Sequence, residues 1–261
     1  PRLIPPSVHI SLRNHRKILV ADGNTAFLGG MNIGDRHLAE DVTNPNRVVD
    51  THFQVTGPAV PQLAQAFLED WAFCTGEESA PLEVQTQAAG SAVCRVVVDG
   101  PNEDIDKLAA LLSGAVSSAK RRVWIMTPYF LPSSGLLSAL QTASMRGVEV
   151  NIILPGKNNL SFVHWASRNM LWELLQWGVH VHYQPPPFVH SKIFLMDDHY
   201  AVVGSANIDP RSLRLNFELG FEIYDKGFAM ELAAEMSERR AQSRRITLEE
   251  MDSRKLPGRL R

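Results

Sequence analysis

The sequence predicts an α/β fold made of two related halves, and two observations carry that expectation. Apolar runs at Val93–Val98, Val123–Met126, Val148–Leu154 and Val179–Tyr183 alternate with helical stretches near Ile105–Lys120, Gly135–Arg146 and Ser161–Trp177. Strands alternating with helices give a layered architecture around a largely parallel or mixed sheet. The chain also repeats itself without insertion or deletion. His15, Lys17, Asp22, Gly29, Gly30 and Asn32 map onto His190, Lys192, Asp197, Gly204, Ser205 and Asn207, because 190 − 15, 192 − 17, 197 − 22, 204 − 29 and 207 − 32 all equal 175. Both copies read HxKxxxxDxxxxxxG(G/S)xN. A fixed residue matches by chance at about one position in twenty, so five identities in register are not accidental.

Each copy has the pattern of a hairpin. Ile18–Ala21 and Thr25–Leu28 flank an Asp-Gly turn, and Ile193–Met196 and Tyr200–Val203 flank an Asp-Asp turn. Residues i and i+2 of a strand share a face, which puts His15 beside Lys17 and His190 beside Lys192. Asn32 and Asn207 follow the second strand of each hairpin and can return to the same pocket, the preceding glycine allowing close backbone approach. Asp22 and Asp197 fall at the hairpin turns, where a structural role is favoured over direct chemistry.

Composition bounds what the chain does. At 261 residues and 44% hydrophobic content it can bury one large core or two coupled ones. Its 26 basic and 28 acidic residues, net −2, give no reason to expect a nucleic-acid partner. Cys74 and Cys94 lack metal-ligand spacing, which disfavours a disulfide framework or zinc site and points to a reducing compartment. No apolar run reaches the roughly 20 residues that span a bilayer, so the chain as written reads as soluble or peripheral. Ser237–Arg261 holds eight Arg or Lys against four acids and reads as a solvated helix and basic tail.

The repeated motif resembles the HKD signature of the phospholipase D superfamily. NHRKILVADGNTAFLGGMNIGD, TPYFLP, RGVEVNIILPGK and GSANIDPRSLRLNFE are similar to stretches of bacterial cardiolipin synthases. The resemblance covers nearly the whole chain and implies a phospholipase D-like fold: two pseudo-twofold-related halves, each a mixed β-sheet flanked by helices. First-copy partners of residues 92–175 would lie before residue 1, so the first half is expected to be incomplete. The expected divisions are 1–90 for the truncated half with the first motif, 91–228 for the half with the second, and 229–261 for the basic tail.

The resemblance implies a phosphatidyltransferase that moves a phosphatidyl group between two phosphatidylglycerols through a phosphohistidine, releasing glycerol. The residue types suit that chemistry. A phosphodiester repels nucleophiles, and cations and donors offset the charge that develops on its oxygens; Lys17, Lys192, Asn32 and Asn207 are suited to supply them. One imidazole attacks phosphorus while the other protonates the leaving alcohol and then activates the incoming one. By resemblance His15 is the nucleophile and His190 the acid/base, although the near-symmetric copies leave the roles exchangeable. A catalytic imidazole needs a carboxylate to fix its tautomer; the expectation is that Asp50 orients His15 and Glu218 orients His190.

No metal or other cofactor is expected, because the lysines take the electrostatic role. The implied partners are phosphatidylglycerol and a membrane surface, at the cytoplasmic side of a bacterial inner membrane or peripheral to it. With both motifs in one chain, oligomerisation is not required. Hydrolysis of a phosphodiester by a phospholipase D or nuclease, and an inert membrane-associated fragment, are the rival readings. His9, His37, His52, His164, His180, His182 and His199 lack repeated context and read as ordinary histidines. The helix with Trp165, Trp172 and Trp177 reads as core packing rather than a lipid contact, and Tyr129 and Phe130 are candidates to line the site.

Overall fold

A strand that is apolar at every position needs cover on both faces, and Ile193–Met196 and Tyr200–Gly204 are buried at every residue. The computed structural model, which describes residues 12–77, 80, 87–101, 104–156 and 161–252, supplies that cover. The first half runs β1 (Arg13–Asn14), β2 (Ile18–Ala21), β3 (Thr25–Gly29), β4 (Val48–Val49), β5 (His52–Thr56) and α1 (Val60–Thr75). The second runs β6 (Val93–Asp99), α2 (Lys107–Ser118), β7 (Arg122–Met126), α3 (Ser134–Met145), β8 (Glu149–Pro155), α4 (Ser161–Gln176) and β9 (His180–Gln184). It continues through β10 (Phe188–Val189), β11 (Ile193–Met196), β12 (Tyr200–Gly204), α5 (Pro210–Arg214), β13 (Asn216–Tyr224), α6 (Lys226–Ala241), β14 (Arg244–Ile246) and α7 (Leu248–Asp252). The alternation expected between residues 93 and 183 is present throughout, within a few residues at each boundary.

The large sheet is mixed, in the order β6-β13-β12-β11-β7-β8-β9-β14, with β7, β8 and β9 mutually parallel. Side-chain alternation divides its residues between two cores. Val123, Ile125, Phe194 and Met196 join one with Leu112, Val116, Leu140 and Leu171 of α2, α3 and α4. Trp124, Met126, Ile193 and Leu195 join the other with Val60 and Leu63 of α1, Leu232 and Met236 of α6, and Ala26 and Leu28 of the first half. Full burial stabilises each such side chain by roughly 1.5–3 kcal/mol.

The first half forms a three-stranded antiparallel sheet, β2-β3-β5. It copies the core of the second half register for register: Gly29 pairs with His52 as Gly204 pairs with Gly220, and Leu28 with Phe53 as Val203 with Phe221. The repeat offset is 175 for the first member of each pair and 168 for the second (220 − 52, 221 − 53). The segment after Asn32 is therefore seven residues longer than the one after Asn207.

Three expectations change. The stretch from residue 229 is not a tail as far as Asp252: α6 buries Ala229, Leu232, Ala233 and Met236, and β14 pairs with β9 at the edge of the sheet. Residues 253–261 lie outside the described residues. Trp172 and Trp177 keep 36% and 47% of their surface rather than filling a core, and the side chains of His164 and Trp165 lie outside the described set, as does His9. His15–Lys17 and His190–Lys192 form extended connectors just before the hairpins rather than strand positions.

Candidate active site

Two short ladders that exchange strands between the halves build the site. β1 pairs in parallel with the start of β13, Arg13 with Asn216 and Asn14 with Phe217, and the His15 amide donates to the Phe217 carbonyl at 2.9 Å. In the same way β10 pairs with β4, and the His190 amide donates to the Val49 carbonyl at 2.7 Å. The next residue on each receiving strand is a carboxylate: Glu218 after Phe217, Asp50 after Val49. Each histidine is thus delivered to the carboxylate of the opposite half.

The side chains complete the crossing. His15 Nδ1 lies 2.9 Å from Glu218 Oε1, and His190 Nδ1 lies 2.8 Å from Asp50 Oδ2. The expected pairing, Asp50 with His15 and Glu218 with His190, is reversed, because strand exchange rather than proximity in sequence selects the partner. A carboxylate at Nδ1 holds the proton there and leaves Nε2 free to face a substrate.

The carboxylates are held differently. Glu218, with no exposed surface, also accepts from Ser205 Oγ at 2.6 Å and Asn216 Nδ2 at 3.1 Å. Asp50 accepts from the Thr51 amide at 2.9 Å, and the Thr51 hydroxyl meets that of Ser191 at 2.9 Å. The repeat partner of Ser205 is Gly30, where a Cβ would sit 2.5 Å from Asp50 Oδ1. The Gly/Ser alternation in the motif therefore has a steric cause: one copy needs a hydroxyl donor, the other needs the space.

Both lysines face this array. Lys17 Nζ donates to the His15 carbonyl at 2.7 Å, and Lys192 Nζ lies 3.0 Å from His190 Nδ1 and on the His190 carbonyl. Burial lowers Lys17 to about 8 against the pull of Glu218 and Asp50, and lowers Lys192 to about 7, with Asp50 opposing and Lys17 assisting. Burial also takes His190 down to about 4, despite its hydrogen bond to Asp50. Both lysines are thus held below the ordinary lysine range by burial.

Asn207 is buried, its Nδ2 donating to Ser212 Oγ at 3.2 Å, while Asp209 caps α5 through the amides of Arg211 and Ser212. Asn32 is exposed, its Nδ2 3.4 Å from His37 Nε2. His37 was read as an ordinary histidine, yet its ring stands edge-on to that of His190 at 5.7 Å. The offset contains the missed signal, since His37 and Ser212 each lie five residues beyond their asparagine. Tyr129 reaches the site's periphery through Phe188, at 6.4 Å, and Phe188 lies 6.1 Å from His190. Phe130 is instead buried in the core.

The motif aspartates lie at the hairpin turns, both with φ of 52°. Asp197 accepts the amides of Lys120, Arg121 and Arg122 at 3.2, 2.8 and 3.1 Å. Burial pushes its carboxyl up, but these three donors more than offset that and hold it below the ordinary value. It fixes the start of β7. Among the described residues no cluster of ligands suits a metal ion, and no helix is long and apolar enough to cross a membrane.

Comparison with known proteins places this arrangement. Residues 112–240 match the family model described as "Cardiolipin synthase, PLD-like domain". The chain is 37% identical to cardiolipin synthase A of Pseudomonas putida over 92% of its own length and 50% of the relative's, and 36% identical to cardiolipin synthase 2 of Bacillus anthracis over 96% and 49%. It therefore spans about half the length of these curated relatives. Phosphatidylserine synthase of Haemophilus influenzae superposes with a TM-score of 0.70 at 17% identity, covering 89% of this chain and 63% of that one. Nuc of Salmonella typhimurium, a phospholipase D family member, superposes at 0.52 with 21% identity, covering 60% and 99%. The similarity is thus to a PLD-like domain over residues 112–240 and to cardiolipin synthases over most of this chain.

Proposed function

We propose that this chain carries the active site of a cardiolipin synthase-type phosphatidyltransferase working at a membrane surface, on the cytoplasmic side of a bacterial inner membrane or peripheral to it. The observation behind this reading is the pair of imidazoles, each oriented by a carboxylate of the opposite half and set among two lysines. In the first step His15 Nε2 attacks phosphorus of one phosphatidylglycerol, the P–O bond to glycerol breaks, and His190 protonates the departing alkoxide. In the second, His190 takes the proton of a hydroxyl on another phosphatidylglycerol, whose oxygen displaces His15. Lys17, Lys192, Asn32 and Asn207 neutralise or donate to the phosphoryl oxygens in both steps. Both histidines, both lysines and both carboxylates come from one chain, so this reading requires no second copy.

One observation favours exchanging the two roles. Burial keeps His190 neutral in the empty site, which is the form a nucleophile needs. Incubation with phosphatidylglycerol labelled in the phosphatidyl group, followed by denaturation and product analysis, tests both readings. Cardiolipin as product with label retained on protein supports transfer; phosphatidic acid alone favours hydrolysis, and no labelled protein or product favours an inert fragment. His15→Ala and His190→Ala are each expected to lose about 10²–10⁴-fold in rate. The variant that never acquires label has lost the nucleophile.

A further inference from the structure

A second cavity adjoins the site on the side of His190. It encloses about 180 Å³ at the carboxyl ends of β8 and β9, between Pro155, Gly156, Gln184 and Phe188 on one side and Arg36 and Arg47 on the other. In open α/β sheets ligands collect at the carboxyl ends of the strands. Phe188 is a shared wall, lining this cavity while its ring lies 6.1 Å from that of His190. Arg36 adjoins His37, whose ring meets His190 edge-on at 5.7 Å.

The charged groups lining it are two guanidiniums. Neither Arg36 nor Arg47 forms an ion pair among the described residues, and the Arg47 guanidinium donates to the Val42 carbonyl at 3.2 Å. Gln184 is 4% exposed, and its Nε2 is buried without a hydrogen-bond partner. A buried amide donor without a partner costs about 1–3 kcal/mol. Two guanidiniums beside a cavity walled by prolines and Phe188 match an anionic oxygen cluster attached to an apolar body. Arg36 keeps the repeat offset, since 211 − 36 = 175 and residue 211 is also an arginine, whereas Arg47 lies in the segment that is longer in the first half.

We propose that this cavity holds the phosphodiester of the accepting phosphatidylglycerol, a second anionic headgroup beside the one being cleaved; this rests on the transferase reading above. The bound acceptor presents its glycerol hydroxyl past Phe188 to the reacting centre. There the P–N bond of the phosphohistidine breaks, the hydroxyl oxygen forms the new P–O bond, and the hydroxyl proton passes to the imidazole that does not carry phosphorus. Holding the acceptor by its phosphate favours a lipid over water or a small neutral alcohol.

The test is a competition between phosphatidylglycerol and ethanol as acceptors, read as the ratio of cardiolipin to phosphatidylethanol. In Arg36→Ala/Arg47→Ala the ratio falls about tenfold or more. An unchanged ratio, with both products made or both reduced together, overturns the proposal. A binding arm needs no turnover: calorimetric titration of sn-glycerol 1-phosphate and of inorganic phosphate into wild type and the double variant. The glycerol ester loses about tenfold in affinity in the double variant, whereas equal affinity in both proteins overturns the pocket. Inorganic phosphate bound more tightly than the ester at the same arginines assigns the cavity to free phosphate and overturns the acceptor role. If wild type forms neither lipid product, the transferase reading fails, and the binding arm alone decides whether the pocket recognises a phosphate ester.

Discussion

The same motif sits in two unlike surroundings. In the second half β11 is buried at all four positions, between β7 and β12 in an eight-strand path. In the first half its repeat partner β2 alternates between partly buried and exposed, with Leu19 63% exposed where Phe194 is 3% exposed. The active-site residues nevertheless occupy equivalent places. The geometry of the candidate site therefore depends on the hairpin and on the strand exchanged with the other half, not on the extent of the sheet behind it. Neither half holds the candidate site by itself, since each supplies a histidine, a lysine and the carboxylate that meets the other half's histidine.

Substitution in equivalent positions sharpens the comparison. Lys192 is 5% exposed and Lys17 is half-buried, so Lys192→Met removes the better desolvated cation. It is expected to lower kcat by about 10²–10³-fold, with a smaller loss for Lys17→Met, in steady-state assays of cardiolipin formation. Equal losses would mean that the halves contribute alike despite their surroundings.

The pH profile separates the lysines in another way. Both are displaced below the ordinary lysine range, Lys192 to about 7 and Lys17 to about 8, so their charge disappears as pH rises through those values. Because kcat/KM reports the free enzyme, it should fall on the alkaline side in two steps over that window. A profile flat to pH 9 would show that the lysines stay charged in the empty site.

The smallest expected contrast is between the two turns. Asp197 accepts three backbone amides, whereas Asp22 is exposed. Asp197→Ala should cost about 2–3 kcal/mol in denaturant unfolding, and Asp22→Ala under about 0.5. The Asp197 carboxyl is held below its ordinary value, so its contribution is present above the unfolded aspartate range and is lost as pH falls. The gap between wild type and Asp197→Ala should narrow in acid.

Much of the fold was legible because its signals are local. The two Asp turns, the apolar runs beside them and the alternation from Val93 to Tyr183 each reflect a preference expressed within a few residues. The candidate site was legible as a set, since the repeat marks His15, Lys17, Asn32 and their partners together. Its wiring was not. Asp50 and Glu218 occupy equivalent places at an offset of 168 rather than 175, masked by the longer segment after Asn32, and their pairing depends on which strand each half lends. His37 was missed for a related reason, because its counterpart is a serine and only its distance from Asn32 marks it. Ser205 was aligned with Gly30 but did not reveal its purpose until the carboxylate filling that space was visible.

The crossed pairing is the claim from which the single shared centre follows, and imidazole ¹⁵N spectra test it most directly. Glu218→Gln should shift the Nδ1 resonance of His15 and leave that of His190 in place, and Asp50→Asn should do the reverse, each identified by comparison with His15→Ala and His190→Ala. If Asp50→Asn moves His15 while His190 stays fixed, each half orients its own histidine and the crossed centre is wrong.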